Sequence, residues 1–260
     1  MFDSGLHQAT SLQNTATQAD LRIIPVVSHG AGTTDQAVMW ELCAALQVMG
    51  YPVVVLDGTC AETADNPGLA DLLHDALWED ASAPDAEGMA VIPAACGLSI
   101  LPSYAQSGPT PLHSLQGLFR MYRAVVIYAD ATTLAPLLYN SDAEPLIFLP
   151  PDKKTVVSAY NSFKQLHMQA GSLATLVTVV PHADDAAMAQ QATRVQLAVR
   201  NCAQTYMGSM PRSFTVRLDQ QHDVQRLALQ LLENAINIGS MFSTMPLLAT
   251  VADGCGVRNH

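Results

Sequence analysis

The chain has 260 residues, of which 49% are hydrophobic and 13% charged, and its formal net charge is −11. This composition predicts one α/β domain or two small ones with a large core, since disordered chains are poor in apolar residues. The negative charge argues against binding to DNA or RNA and against a purely electrostatic hold on an anionic membrane, because both need a Lys/Arg surface.

The sequence also shows no clear pattern for membrane insertion, export, disulfide bonding or metal binding. No run reaches the ~18 apolar residues of a membrane-spanning helix, and the N-terminus lacks the basic start and apolar core of a signal peptide, so we expect a cytoplasmic protein. The five cysteines are far apart and show no CxxC spacing. We therefore expect neither a disulfide framework nor a metal site.

The first third of the chain predicts a βαβ unit. Residues 1–22 are polar and rich in Gln and Thr, and we expect a flexible extension that holds a short helix. Apolar runs at 23–28 and 52–56 predict buried strands, and the helical spacing of apolar residues at 35–49 predicts a helix that ends at Gly50. Such a unit has parallel strands and a right-handed crossover.

The same alternation continues to the C-terminus. Predicted strands lie at 89–93, 124–128, 145–149 and 173–180, and predicted helices at 67–79, 112–122, 154–169, 184–203 and 222–238. Surface loops are expected at 80–88 and 102–111, and a frayed tail at 250–260. The pattern predicts one α/β domain over 23–249, with a mostly parallel sheet flanked by helices on both faces.

A glycine turn after the first predicted strand is the candidate ligand site. Open α/β sheets bind ligands at the carboxyl ends of their strands, where glycine turns hold phosphates or dinucleotides. The candidate residues are Gly30, Gly32, Thr33, Thr34 and the strand-ending Asp57. The glycines also suit a plain strand-to-helix turn, and Asp57 suits an ordinary turn equally well.

The segment from Ile23 to Asp57 resembles the start of the MinD/ParA-type P-loop ATPases. Members of that family begin with a strand, a KGGxGKT-type loop, a helix that ends in an AAAL-x₃-GY-like run, and a strand that closes on Asp. Here the helix ends with Ala44-Ala45-Leu46 followed by Gly50-Tyr51, and the next strand closes at Asp57. The resemblance implies a MinD-like P-loop fold.

The residues that carry the chemistry of this family are replaced. In register, the signature lysine falls on Gly30, the phosphate-binding lysine on Asp35, the Mg²⁺-binding residue on Gln36 and the Walker B aspartate on Tyr128. Asp130, two residues later, is a poor substitute, and the simplest role for Asp35 is to cap its helix. The resemblance thus implies a pseudo-ATPase that needs no cofactor, or that binds ATP or ADP without hydrolysis through backbone N–H groups.

Within the family, the chain most resembles the flagellar-number regulator FlhG (FleN). The segment from Pro151 to Tyr160, then Lys164, resembles a PEP-T-S-I-T-D-A-Y…K segment, and Gln8, Ala9 and Leu12 resemble a DQAxxLR motif. The resemblance implies a regulator of flagellar number or placement whose partner is an FlhF-type GTPase or a flagellar switch or regulatory component. Without ATP to clamp a dimer, we expect a monomer.

Two alternative functions stay open. The chain could be a degenerate relative of BcsQ in another secretion system. It could also be an NAD-dependent oxidoreductase that uses Gly30-x-Gly32, although the third glycine position falls on Asp35. Residues 236–249 are apolar but carry no Lys or Arg, which weakens the peripheral membrane contact made by family members at this end.

Overall fold

A computed structural model of the chain describes residues 21–29, 33–74, 89–104, 110–182, 184–234 and 236–237. Its sheet has seven parallel strands: β1 (Arg22–Val27), β2 (Val53–Asp57), β3 (Ala90–Pro93), β4 (Ala124–Ala129), β5 (Leu146–Leu149), β6 (Thr175–Val180) and β7 (Ser213–Arg217). They lie in the order β3-β2-β4-β1-β5-β6-β7. The central strands are mostly apolar because both faces of a parallel sheet are covered.

Eight α-helices connect the strands within the described residues. They are α1 (Thr33–Val48), α2 (Leu69–His74), α3 (Ala95–Tyr104), α4 (Ser114–Leu118), α5 (Ala131–Leu138), α6 (Lys153–Ala170), α7 (Ala186–Met207) and α8 (Gln221–Asn234). A short 3-10 turn, Pro111–His113, precedes α4. None of the described helices is long and apolar enough to span a bilayer.

The helices cover the sheet unequally. Helices α2 to α7 bury their apolar side chains in one cluster, exemplified by Leu98, Leu134 and Phe163. On the opposite face, α1 and α8 pack together over the sheet through residues such as Leu42 and Leu227. The expected α/β architecture, with a parallel sheet between two helical layers, is confirmed.

Strand β1 has an additional short neighbour. It pairs with β5 only at Val26 and Val27, which leaves the start of β1 open on that side. There a two-residue antiparallel strand, β8 (Ile236–Asn237), pairs with Arg22 and Ile23. The helix predicted over 222–238 therefore extends too far, because its last residues pair with the sheet.

The prolines caused other differences from the predicted elements. The sequence predicted neither α3, which contains Pro102, nor α5, which contains Pro136, and the loop predicted at 102–111 begins too early. Strand β7 was missed as well, and the helix predicted at 112–122 is the 3-10 turn followed by the short α4. The extension predicted over 1–22 is two residues too long, because Leu21 is buried and Arg22 begins β1. Residues 1–20, the predicted loop 80–88, the segment 238–249 and the tail 250–260 lie outside the described residues.

Candidate functional site

The candidate site lies where three central strands end. Val26 of β1 pairs with Tyr128 of β4, and Tyr128 pairs with Asp57 of β2, so the carboxyl ends of these strands lie side by side. Helix α1 begins at Thr33, just after β1, and brings Asp35 to the same end of the sheet in its first turn. The fold thus brings together Asp35, Tyr128 and Asp57, which the sequence places far apart.

Asp35 is a buried acid with one unsatisfied oxygen. Its side chain is 2% exposed, and Oδ1 has no hydrogen-bond partner. Burial raises the pKa of Asp35 to about 6, although a hydrogen bond from the backbone N–H of His29 opposes the shift. The carboxyl group therefore links the last residue before the glycine turn to the first turn of the helix after it.

Tyr128 occupies the centre of the site. It is 3% exposed, and its phenol forms a hydrogen bond with the hydroxyl of Ser28. Burial raises the pKa of Tyr128, the Ser28 hydrogen bond lowers it, and the negative charges of Asp35 and Asp57 raise it further. The tyrosine is therefore a neutral phenol at physiological pH, and it has no carboxylate with which to bind a metal ion.

The other two acids at this edge already have structural roles. Oδ1 of Asp57 accepts hydrogen bonds from the backbone N–H of Thr59 at 2.9 Å and from its hydroxyl at 2.6 Å. Oδ1 of Asp130 accepts one from the backbone N–H of Thr133 at 2.7 Å, so Asp130 is the N-cap of α5. The turn role considered for Asp57 is the one that it adopts.

His29 lines a polar cleft next to these acids. Its ring donates a hydrogen bond to the carbonyl of Phe148, and because Nε2 has no partner, Nδ1 is the donor. Burial lowers the pKa of His29 despite this bond, so the ring is neutral at pH 7. The cleft, of about 330 Å³, is otherwise lined mainly by hydroxyl, amide and carboxyl groups of Ser28, Asp130, Thr132, Ser158, Asn161, Ser162 and Gln165.

The chemistry of this arrangement differs from that of a phosphate site. The side chains of Ser28, His29, Asp35, Tyr128 and Asp57 include two carboxyl groups and no cation. A lysine or arginine is the usual means of holding β- and γ-phosphates. The side chains described at this edge therefore offer no cation to the β- and γ-phosphates of a nucleotide, and no group of three His, Cys, Asp or Glu residues in the described ranges is placed to hold a metal ion.

A further acid at this edge, Glu62, was not singled out from the sequence. Its carboxylate accepts hydrogen bonds from the backbone N–H groups of Cys96 at 2.7 Å, Gly97 at 2.8 Å and Ala70 at 3.3 Å. These N–H groups belong to the first turns of α3 and α2, where unpaired donors favour an anion. Glu62 thus fastens the loop after β2 to two helices, and a local motif could not have revealed this because its partners follow 8 to 35 positions later.

The remaining predicted site residues divide into two groups. Thr33 and Thr34 begin helix α1, and Thr34 is partly buried in its first turn. Gly30 and Gly32 lie outside the described residues, as do the predicted partner-binding residues Gln8, Ala9 and Leu12. Sequence reasoning also missed Ser28 and His29, although both directly precede the glycine turn.

Comparison with solved structures identifies the fold. Cyanothece McdA in complex with ATP matches with a TM-score of 0.53 and 16% identity, over 83% of this chain and 96% of that one. ParA of pNOB8 bound to nonspecific DNA (0.49, 12%, 82% and 99%) and MinD of Aquifex aeolicus (0.47, 10%, 83% and 98%) are also similar. No model of a protein family matches the sequence, and no curated protein does.

The strand order bears on the dinucleotide alternative. In the usual dinucleotide-binding fold, strand 2 lies beside strand 1, so an acid at its end reaches the ribose. Here β4 lies between β1 and β2, which displaces Asp57 by one strand, about 4.8 Å. Since Thr59 also occupies Oδ1 of Asp57, the geometry argues against an NAD site at Gly30-x-Gly32.

Proposed function

We propose that this protein is a non-hydrolysing regulatory protein with a MinD/ParA-type fold, which acts through contacts with other proteins. The observation that carries the proposal is the buried carboxyl group of Asp35 in the first turn of α1. By resemblance, this is the position of the phosphate-binding lysine. Tyr128, at the position of the Walker B aspartate, is a second replacement in the same site.

Coulomb's law indicates how strongly an ionised Asp35 would oppose a bound triphosphate. Two unit charges 4 Å apart interact by about 4 kcal/mol at an effective dielectric constant of about 20. Replacing an attractive ammonium by a carboxylate changes the sign of that interaction. At pH 7 Asp35 is largely ionised, because its pKa is about 6, so it repels a triphosphate. Any ATP or ADP that binds must do so through backbone N–H groups, and a binding mode of this kind would not position the γ-phosphate for hydrolysis.

The proposal is tested by calorimetry with ATP, ADP and NAD(H), each with Mg²⁺, together with ATP turnover. We expect no turnover and no NAD binding. The informative variant is Asp35→Lys, and Glu41→Lys is its matched control because Glu41 is an exposed acid on the same helix. ATP turnover by the unmodified protein that Asp35→Lys does not increase would contradict the proposal. Nucleotide affinity gained by Asp35→Lys and not by Glu41→Lys would support it.

The biological setting that we propose is the control of flagellar number or placement. It rests on the FlhG-like segment from Pro151 to Tyr160, which forms the start of α6, and on the N-terminal Gln8, Ala9 and Leu12. The partner would be an FlhF-type GTPase, or a flagellar switch or regulatory component. A BcsQ-like role in another secretion system is the alternative. In either case we propose a cytoplasmic monomer that needs no cofactor.

The partner proposal is tested by a truncation. Residues 1–20 are removed, because Leu21 is buried and Arg22 already belongs to β1. We expect the truncated protein to fold, as judged by an unchanged melting temperature, and to lose its effect on the GTP turnover of a purified FlhF-type GTPase. Equal stimulation by the full and truncated chains would show that the N-terminal segment is not the contact.

A further inference from the structure

Two neighbouring helices carry a charge opposite to that of the whole chain. Helices α6 and α7 contain no Asp or Glu, so their formal charge comes from Lys and Arg alone. These are Lys153, Lys154, Lys164, Arg194 and Arg200. In a protein of net charge −11, this concentration of cations is a local exception. We call the solvent-facing surface of the two helices the α6–α7 face.

These cations have no ionic partners in the described part of the chain. The ion pairs there involve Arg212 with Glu144, and Arg217, Arg226 and His222 with Asp223, all outside α6 and α7. Arg200 contacts the sulfur of Met210 at 3.4 Å, and its Nε is buried without a partner. Asp152 and Asp185 precede the two helices and accept hydrogen bonds from the backbone at their starts, and the exposed Asp184 lies beside Asp185. Among the described residues, the cations of the face therefore form no ion pair.

Apolar side chains are interspersed with the cations. On α6 the exposed residues Lys154, Val157, Asn161, Lys164 and Met168 recur at spacings of three and four, so they form one stripe along the helix. Val157 is 64% exposed and Met168 71%. On α7 the exposed Arg194 is followed one turn later by Leu197, which is 49% exposed. An exposed surface that alternates cations with large apolar groups is typical of a binding surface.

The two stripes form one continuous surface. Both helices bury their opposite sides in the same core cluster, Phe163 from α6 and Val199 from α7. The helices also contact each other, with the rings of Tyr160 and Tyr206 6.2 Å apart. Their outer faces therefore point away from the same side of the sheet, over a length of about 27 Å for the 18 residues of α6.

We propose that the α6–α7 face binds an acidic amphipathic helix of a partner protein. Carboxylates of such a helix would pair with the cations, and its apolar stripe would cover Val157, Met168 and Leu197. A larger polyanion, such as a bilayer or a DNA duplex, would extend beyond the face, and the net negative charge of the rest of the molecule would repel it. The carboxylates of a short acidic helix would instead lie within one Debye length, about 8 Å, of the cations on the face.

This inference names the partner class for the function proposed above. It is tested with a synthetic, fluorescently labelled peptide of about 20 residues, built from Glu and Leu at helical spacing, whose anisotropy is measured at low and at physiological salt. We expect saturable binding that weakens with salt. The double variant Lys154→Glu/Lys164→Glu should bind at least about tenfold more weakly. Its matched control is Arg120→Glu/Arg123→Glu, which makes the same charge change at exposed positions before β4.

The apolar contribution is tested with Val157→Ser/Leu197→Ser, which should also weaken binding. No saturable binding, equal binding by Lys154→Glu/Lys164→Glu, or indifference to Val157→Ser/Leu197→Ser would each overturn the proposal. Binding to phosphatidylserine vesicles or to a DNA duplex in place of the peptide would overturn it too. None of the residues changed in these variants lines the cleft beside His29, and Asp35 is not on the face, so failure of the pseudo-ATPase proposal and failure of this one are distinguishable.

Discussion

The buried carboxyl group of Asp35 makes stability depend on pH in a definite direction. Its folded pKa of about 6 exceeds the ordinary value of 3.8, so between these pH values the folded state holds more protons than the unfolded state. The free energy of unfolding therefore falls as pH rises from about 4 to above 6. We expect Asp35→Asn to raise it at pH 8 by on the order of 1–3 kcal/mol, and to change it little at pH 4. Urea denaturation at both pH values measures this.

Glu41→Gln provides the control for that experiment. Glu41 is an exposed acid on the same helix, and its neutralisation should leave the free energy of unfolding almost unchanged at both pH values. Loss of stability at pH 8 in Asp35→Asn would mean that the ionised carboxylate stabilises the fold. In that case the hydrogen bond from His29 would outweigh the desolvation of the charge.

Some features of the candidate site could be predicted from the sequence and others could not. The position of Asp35 in the first turn of a helix and the turn-forming role of Asp57 follow from local chemistry, and both are observed. The burial of Asp35 and the Ser28–Tyr128 hydrogen bond could not be predicted in the same way. They depend on β4 lying between β1 and β2, and these pairings join residues as far apart in the sequence as Arg22 and Ala124, or Val53 and Ala124.

At the scale of elements, Glu62 joins three segments through its carboxylate. Burial alone would raise the pKa of Glu62, but hydrogen bonds from Cys96, Gly97 and Ala70 together lower it below the ordinary 4.5. Its stabilising contribution is therefore present above pH 4.5 and lost as pH falls through the lowered pKa. We expect Glu62→Gln to lower the free energy of unfolding at pH 7 by about 1–2 kcal/mol and to have little effect near pH 3.

The matched control for Glu62 is Asp65→Asn. Asp65 is an exposed acid in the same loop, and it makes no side-chain hydrogen bond within the described residues. Its replacement should be neutral at pH 7. If the two variants were equally unstable, the effect would come from the charge of the loop and not from the hydrogen bonds to α2 and α3.

The close approach of α2 and α3 gives a second prediction at this scale. A Cβ on Gly97 would lie 2.5 Å from Cβ of Leu69 and 2.7 Å from the backbone nitrogen of Ala70, whereas one on Gly117 in α4 would meet nothing within 4 Å. Gly117→Ala should stabilise the protein by about 0.5–1 kcal/mol through helix propensity. Gly97→Ala should instead destabilise it by about 1–3 kcal/mol because the helices must separate. Two thermal melts decide this, and a stable Gly97→Ala would show that the helices adjust freely.

The elements themselves were predictable where their pattern is strong. Most residues of β1, β2, β4, β5 and β6 are apolar and lie buried between the two helical layers, and the sequence predicts the ends of each strand to within about two residues. The misses have one cause each. From the local sequence, Pro102 and Pro136 predict helix ends. In the structure, the packing of α3 and α5 on the sheet contributes more to stability than the backbone hydrogen bond that each proline removes. β7 is only half-buried, so its apolar signal is weak.

At the scale of the whole molecule, charge is distributed unevenly along the chain. Residues 1–149 contain 16 acidic and three basic residues, whereas residues 150–260 contain seven acidic and nine basic ones. Among the described residues, β5, β6 and β7 lie together at one side of the sheet, and α6 and α7 pack on β5 and β6. The basic residues that α6 and α7 contribute from the second half of the sequence are thus brought together on the α6–α7 face.

The excess of like charge predicts a response to salt. At pH 8 the net charge of −11 produces repulsion throughout the compact state, and few attractive ion pairs in the described residues compensate for it. Salt screens long-range repulsion more than close contacts such as Arg217–Asp223, which are 2.6 Å apart. We therefore expect the midpoint of urea denaturation to rise when NaCl is increased from about 10 to about 150 mM, where the Debye length falls to about 8 Å.

The direction in which the urea midpoint shifts with salt shows whether repulsion or attraction between charges dominates in the folded state. A rise that is larger for Lys154→Glu/Lys164→Glu than for the unmodified chain would follow from repulsion, because this variant removes two positive charges and adds two negative ones. A fall on adding salt would mean that attraction between acidic and basic residues contributes more than the repulsion due to the net charge. The same measurement at pH 5, near the sequence pI of about 4.9, should show almost no dependence on salt, because the net charge is then close to zero.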